Sequence, residues 1–431
     1  MKAVVLAVLA CCLLPQFAWA DTLNSADSAW MMTATALVLL MTLPGLALFY
    51  GGLVRVRNVL SVLVQCFAIA CVVSLLWLVV GYSLAFGDGG VVNGVIGGLD
   101  HAFFAGLGEQ SLQGSLPQAL FVLYELTFAI ITPALVVGAF AERMHFTAML
   151  VFSVLWTLLV YIPVCHWVWG GGWLAALGVH DFAGGIVVHV TAGVASLVAA
   201  LKLGARRGFL SQPMMPHNLT MTLTGAGLLW VGWFGFNGGS ALAANGQAAT
   251  AMLATHMAAA AGAFAWMLME WRKYGKASAL GVATGMVAGL GTITPAAGYV
   301  SPAAATAIGL LAGVLCFYMV LLVKQRLKVD DSLDVFPVHG VGGAMGSLLL
   351  AVFASPALGA FSGDGLGQVS YSILQQLWVQ LLGVVSVAVW TGLLTWGILT
   401  LVAKWTPLRV TADEESQGLD ISLHDERGYD F

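Results

Sequence analysis

Residues 180–190 read H-D-F-A-G-G-I-V-V-H-V, which places Asp181 and His189 eight residues apart in a run that stays uncharged until Lys202. About 20 apolar residues suffice to cross a bilayer, so the stretch predicts a membrane helix with an aspartate at its start and an imidazole well inside it. A second stretch, D334-V-F-P-V-H339-G-V-G-G, repeats the arrangement near the other end of the chain. Ionisable groups at membrane depth are costly and are kept for a partner or a function. Two such histidines therefore decide how the rest of the sequence is read.

The whole chain suits that setting. Of its 431 residues 60% are hydrophobic and only 8% charged, with a mean hydropathy of +0.93, where a soluble domain carries about 25% charged residues. The composition predicts an all-α integral membrane protein. Residues 1–20, M-K-A-V-V-L-A-V-L-A-C-C-L-L-P-Q-F-A-W-A, carry one lysine, a short apolar core and a small-residue end before Asp21, the pattern of a cleaved signal peptide; acylation at Cys11 ranks below cleavage. Cys66, Cys71, Cys165 and Cys316 lie in apolar segments without metal spacing and read as packing residues. Neither a metalloprotease motif nor a nucleophile elbow is present, and a net charge of −4 gives no reason to expect a nucleic-acid partner. No enzyme activity, metal or cofactor is expected.

Apolar spans begin near Trp30, Asn58, Leu116, Phe146, Asp181, Thr220, Ala248, Ser278, Ser301, Asp334 and Gln375, giving eleven transmembrane helices. Beyond residue 20, every Lys and Arg falls in an alternate connection or the tail: Arg55 and Arg57; Arg143; Lys202, Arg206 and Arg207; Arg272, Lys273 and Lys276; Lys324, Arg326 and Lys328; Lys404, Arg409 and Arg427. The positive-inside rule puts that side in the cytoplasm, the mature amino terminus outside and the carboxyl tail inside. A weak repeat, G45-L-A-L-F-Y-G-G52 against G232-W-F-G-F-N-G-G239, ends the first and sixth helices. An odd number of spans before the repeat inverts it. The expected fold is a five-plus-five inverted repeat plus a final helix: helices one to five over about residues 30–203, six to ten over about 220–355, and eleven over about 371–403. These make up a transmembrane domain over residues 21–405, and a regulatory tail over 406–431.

The pseudo-twofold axis superimposes His189 on His339. At 1.5 Å per residue His189 lies about 12 Å from Asp181 and His339 about 7 to 8 Å from Asp334, so the two meet only if the helix ends are recessed under vestibules. A short, narrow, apolar pore between two funnels is expected. A hydrogen bond from each imidazole to a neighbouring helix is the competing reading. His101, His145, His180, His217 and His424 fall in connections or the tail, and His166 and His256 read as packed helix residues.

D181-F-A-G-G-I-V-V-H189 resembles the signature of the ammonium transporter (Amt) family, and the likeness continues through V168-W-G-G-G, G232-W-F-G-F-N-G-G-S240 and V335-F-P-V-H339-G, from about Trp30 to Tyr429. The resemblance implies a homotrimer in a bacterial inner (plasma) membrane, one pore per subunit, carrying ammonium or its analogue methylammonium. It also assigns roles. Phe128, Trp169 and Ser240, with Trp233 nearby, would recruit the substrate; Phe128 and Phe236 would form a gate; His189 and His339 would be the twin histidines of the pore; Asp181 would hold the recruitment region together without touching the substrate. Glu125 lies one turn before Phe128 and would either enrich cations in the outer funnel or bond a neighbouring helix. Pro337, in the first turn of its helix, should leave His339 in place. The tail G418-L-D-I-S-L-H-D-E-R-G-Y429 is similar to the family region that senses PII-type signal proteins, with Asp425 and Gly428 departing from the usual H-G-E-x-A-Y form; a free, solvated tail is the alternative. An ammonium sensor signalling through the tail is the rival function, disfavoured by the lack of a signalling domain after it. A Rhesus-type gas channel fits Trp169 and Ser240 poorly.

Overall fold

The computed structural model describes residues 22–363, 365–366 and 372–430; the expected signal peptide over residues 1–20 lies outside them. Among the described residues ten helices are long and apolar enough to cross a bilayer: α1 Ser25–Leu53, α2 Val56–Phe86, α3 Gln118–Phe140, α4 Phe146–Ala176, α5 Gly185–Leu203, α6 Leu219–Gly238, α7 Gly246–Tyr274, α9 Pro302–Arg326, α10 Phe336–Phe353 and α11 Ile373–Val402. The eighth expected helix, α8 Ala279–Ile293, has 15 residues, about 22 Å of axis against a hydrocarbon core of about 30 Å. From Gly285 to Ile293 all its residues are buried, so it is wrapped by protein and need not match the lipid. A two-residue hairpin, Leu112–Gln113 with Leu116–Pro117, lies in the connection before α3.

Boundaries move where side chains cap helix ends. α1 starts five residues before the expected Trp30, because the Asn24 side chain accepts from the amides of Ala26 and Asp27 at 2.9 and 3.2 Å. α5 becomes regular only at Gly185 and α10 at Phe336, each after a capping aspartate that stays outside the helix.

The inverted halves meet at the histidines. Asp181, His189 and Gly193 on the α5 side correspond to Asp331, His339 and Gly343 on the α10 side, each set spaced by eight residues and then four. Both helices open with a π-helical stretch, Gly185–Val190 and Phe336–Gly340, that contains the histidine. The glycines allow the crossing. A Cβ on Gly193 would stand 2.2 Å from the Gly340 Cα, and one on Gly343 would stand 2.6 Å from the Gly185 carbonyl oxygen. Backbones this close are the small-residue packing of membrane helices, and they bring each histidine against the opposite half.

The arginine-bearing connections gather at one end around Glu142. Its carboxylate accepts from the Arg55 amide at 2.6 Å and Nε at 2.8 Å and pairs with Arg206 at 3.1 Å. Arg206 also forks onto Asp330, with contacts of 2.9 and 2.8 Å. Arg143, fully buried, donates to the Ser332 hydroxyl at 2.7 Å and the Asp330 carbonyl at 2.6 Å. Glu142 has a left-handed backbone, φ 72°, a conformation non-glycine residues adopt only when their surroundings fix it. Burial pushes the Glu142 carboxyl upward, but the Arg206 and Arg55 charges, with hydrogen bonds from Arg55, together hold it below its ordinary value. A lowered carboxyl contributes stability above its unfolded pKa and loses it as pH falls through the lower folded value. Glu142→Gln is therefore expected to cost about 3–5 kcal/mol at neutral pH. Its melting deficit in detergent should begin to shrink as pH falls below the ordinary glutamate value of about 4.3 and go on shrinking until the lowered folded carboxyl is itself protonated. A deficit independent of pH would assign the loss to shape and not charge.

The tail is docked, not free. Leu408–Val410 pairs with Arg143–His145 through amides 2.9 and 3.0 Å from the facing carbonyls. Two short helices follow, α12 Ala412–Gln417, opened by a Thr411–Glu414 capping box, and α13 Leu419–His424. Glu415 pairs with Arg409 at 2.7 Å and accepts from the Arg207 amide at 2.7 Å. Asp420 accepts from the Ser61 amide, near the start of α2, at 2.8 Å. The two departures from the family form have local reasons. Asp425 occupies a left-handed position, φ 56°, that aspartate tolerates better than most residues, and a Cβ on Gly428 would come within 2.5 Å of Val59.

Candidate functional site

Three cavities line up through the chain. At the end away from the arginines lies a vestibule of about 350 Å³, whose walls include Phe121, Glu125, Phe128, Trp169 and Ser240. At the arginine-bearing end a second cavity of about 110 Å³ is bounded by Lys324, Asp334 and His339, among others. Between them is a constriction of about 10 Å³ walled by His189, His339, Trp233, Phe236, Phe49, Tyr50 and further apolar side chains, at the lower limit of what admits a single water molecule.

Phe128 of α3 and Phe236 of α6 separate vestibule from constriction, their rings 4.3 Å apart and inclined by 31°. Phe128 also meets Trp169 edge to face at 5.8 Å. The Trp169 indole donates to the Asp181 carbonyl at 2.8 Å, which fixes the ring over the vestibule. The Ser240 hydroxyl donates to the Phe236 carbonyl at 2.8 Å and lies 3.3 Å from the Tyr124 hydroxyl, and the residue lines the same vestibule as Phe128 and Trp169. The structure thus brings Phe128, Trp169 and Ser240 together. Trp233 differs from the expectation: it lies beyond the phenylalanines, in the constriction, stacked on His189 at 5.6 Å with its indole donating to Thr294 at 2.9 Å. Its position three residues before Phe236 sets it one turn deeper on α6.

His189 and His339 face each other with ring centroids 5.1 Å apart and their Nδ1 atoms at 3.2 Å. A hydrogen bond between two like nitrogens needs one protonated and one bare, so the neutral pair takes opposite tautomers. One outer Nε2 then donates and the other accepts. The His189 Nε2 is buried without a partner, and Pro337 leaves His339 in place as expected. Gly291 of α8 keeps the flank open, since even a Cβ there would lie 3.7 to 3.8 Å from both imidazoles.

Two aspartates hold the histidine helices. The Asp181 carboxylate accepts from the amides of Gly184, Gly185, Ile186 and Val187 at 3.0, 2.6, 2.8 and 3.0 Å, the unpaired donors of an α5 start sunk below the surface. Gly184 turns the chain with φ +110°, open to glycine alone at little cost. On the other half Asp331 accepts from the Phe336 amide at 2.7 Å. Burial, and then the neighbouring Asp334 charge, push its carboxyl up to about 6. Sequence reading chose Asp334 as the start of the tenth helix and missed Asp331; Asp334 instead pairs with Lys324 at 2.8 Å. The shared eight-residue spacing to the histidine was the available signal.

Two inverted helical halves, a vestibule at each end and a narrow apolar passage holding facing imidazoles define a multi-pass membrane protein that passes a small solute. The chain matches the model of the Ammonium Transporter Family over residues 29–429. It is 45% identical to an ammonium transporter of Bacillus subtilis over 405 residues, covering 94% of this chain and 98% of that one. It is also 42% identical to the ammonium transporter Amt1 of Archaeoglobus fulgidus over 407 residues, 94% and 100% of the two chains. Among solved structures it resembles a protein titled Sensor Amt Protein, with a TM-score of 0.86 and 30% identity over 93% of this chain and 98% of that one. It also resembles Saccharomyces cerevisiae Mep2, with a TM-score of 0.82 and 37% identity over 91% of each chain. The chain belongs to the ammonium transporter family, whose members are transporters or channels and not enzymes.

Proposed function

We propose that the chain is an ammonium transporter that takes up ammonium at the vestibule facing away from the arginines, removes its proton near the Phe128–Phe236 pair and passes ammonia between His189 and His339. The observation that carries the reading is the imidazole pair 3.2 Å apart inside an apolar passage. Aromatic faces attract a partly desolvated cation by up to about 2 kcal/mol, and the Ser240 oxygen accepts from an ammonium N–H. In the constriction beyond the phenylalanines the walls carry no Asp, Glu, Lys or Arg. A cation at the bilayer centre costs about 3 kcal/mol on insertion scales and more than about 10 in simulation. Ammonium escapes that cost by leaving its proton, whereas potassium has none to leave. The opposed tautomers then give ammonia one acceptor and one donor, and the shared Nδ1 proton provides a relay.

The arginine distribution supports a cytoplasmic arginine-bearing face in a bacterial inner membrane, with the mature amino terminus outside after loss of residues 1–20. Family membership supports a homotrimer. The docked tail offers Arg427 and Glu426 on its exposed side, a surface suited to a PII-type partner. A second reading, an ammonium sensor, draws on the likeness to the protein titled Sensor Amt Protein. Purified protein in liposomes, pulsed with ammonium and then potassium while membrane potential or internal pH is followed, separates them. Ammonium flux without a potassium response is expected. Equal responses to the two ions would overturn the transport mechanism, and ammonium binding without flux would favour the sensor.

A further inference from the structure

Glu125 stands one turn before Phe128 on α3. Phe121, Glu125 and Phe128, spaced by four and then three residues, share one helix face, and all three border the vestibule. The residue is only 8% exposed, and its Oε2 is sealed from solvent with no hydrogen-bond partner. No helix is bonded by it. The nearby Tyr124 hydroxyl is engaged instead with the Gly235 and Phe236 carbonyls at 3.0 Å each. Every ion pair among the described residues lies at the arginine-bearing end, so among those residues no cationic side chain at the vestibule end balances a carboxylate there. A buried, unpaired carboxyl is costly unless a partner comes to it, and the vestibule beside it has about 350 Å³ for a visitor.

We propose that Glu125 is the charge partner of a small ammonium-type cation held in the vestibule, in a position of its own before the Trp169 and Ser240 contacts. The inference rests on the transport reading above and adds a second station to it. Three residues of helix rise put Glu125 about 4.5 Å further from the constriction than Phe128, so a cation there is still hydrated on one side. Its attraction to the carboxylate, in a site shielded from bulk water, raises local ammonium concentration without touching the step at the phenylalanines. Glu125 therefore sets how little ammonium the chain senses, and not how fast a loaded pore conducts.

The test is the ammonium concentration dependence of the initial current in proteoliposomes bearing the full chain, wild type against Glu125→Gln and Glu125→Asp. The expected result is a KM raised about tenfold by Gln and less by Asp, with maximal current changed by less than about twofold. An unchanged KM in the Gln variant overturns the inference, as does a fall in maximal current at constant KM, the mark of a structural role. If the Gln variant does not assemble, Glu125→Asp and Glu125→Asn, equal in length and unlike in charge, give the same comparison: a higher KM for Asn supports the inference and equal KM values overturn it. A wild type without any ammonium current would instead overturn the transport reading.

Discussion

Replacing His189 or His339 by an acidic residue is expected to keep conduction and lose selectivity, so that a potassium pulse drives a current comparable to the ammonium pulse. The constriction now holds two imidazole rings, Nδ1 to Nδ1 at 3.2 Å, walled by Trp233, Phe236, Tyr50 and further apolar side chains. A fixed carboxylate there would stabilise an intact cation, removing the barrier that makes shedding a proton necessary. Replacing both histidines by alanine should give the opposite phenotype. The dehydration barrier stays, hydrogen-bond partners and relay are lost, and flux should fall at least about a hundredfold, the cost of some 2.7 kcal/mol or more in the barrier. Paired pulses on each purified variant, with assembly checked in detergent, decide the matter. Potassium exclusion intact in both acidic variants would move the filter to Phe128 and Phe236.

Asp181→Ala should abolish transport through the backbone. One carboxylate satisfies four consecutive buried amides, and leaving buried donors unmet costs about 1–3 kcal/mol each. The Trp169 indole hangs from the carbonyl of the same residue, so the vestibule wall and the start of α5 should loosen together. Asp181→Glu retains the acceptors on a longer arm and should keep part of the flux. Transport and thermal unfolding measured on the same samples check this. A folded, fully active alanine variant would show that the helix start finds other acceptors.

Hydropathy and the placement of lysine and arginine made the helices and their alternation legible, because lipid forbids the alternatives to a helix. His189 and His339 were legible too: a polar group in an apolar run announces itself. Asp331 was not, since it precedes its helix among other acids, and the adjacent Asp334 looked equally suited to a cap. Trp233 and Trp169 are the same residue type in glycine-rich surroundings, and only three-dimensional packing sends one to the constriction and the other to the vestibule. The docking of the tail was hidden because its bonds go to Arg207, Asn58 and Ser61, all far from it in sequence. The shortness of α8 was invisible for a related reason, as burial by protein leaves no mark on an apolar sequence.

In the mechanism proposed above the gate is the tilted pair of Phe128 and Phe236 rings, two side chains and not a mobile domain. Ring and rotamer motions run on picosecond to nanosecond scales when unhindered, whereas rocking whole halves of a membrane protein takes microseconds to milliseconds. On that reading the gate opens by local torsions, and the two halves can stay locked through Gly193 and Gly343 while solute passes. Throughput on that reading follows how often one pair of rings parts, a local event that asks nothing of the packing between the halves.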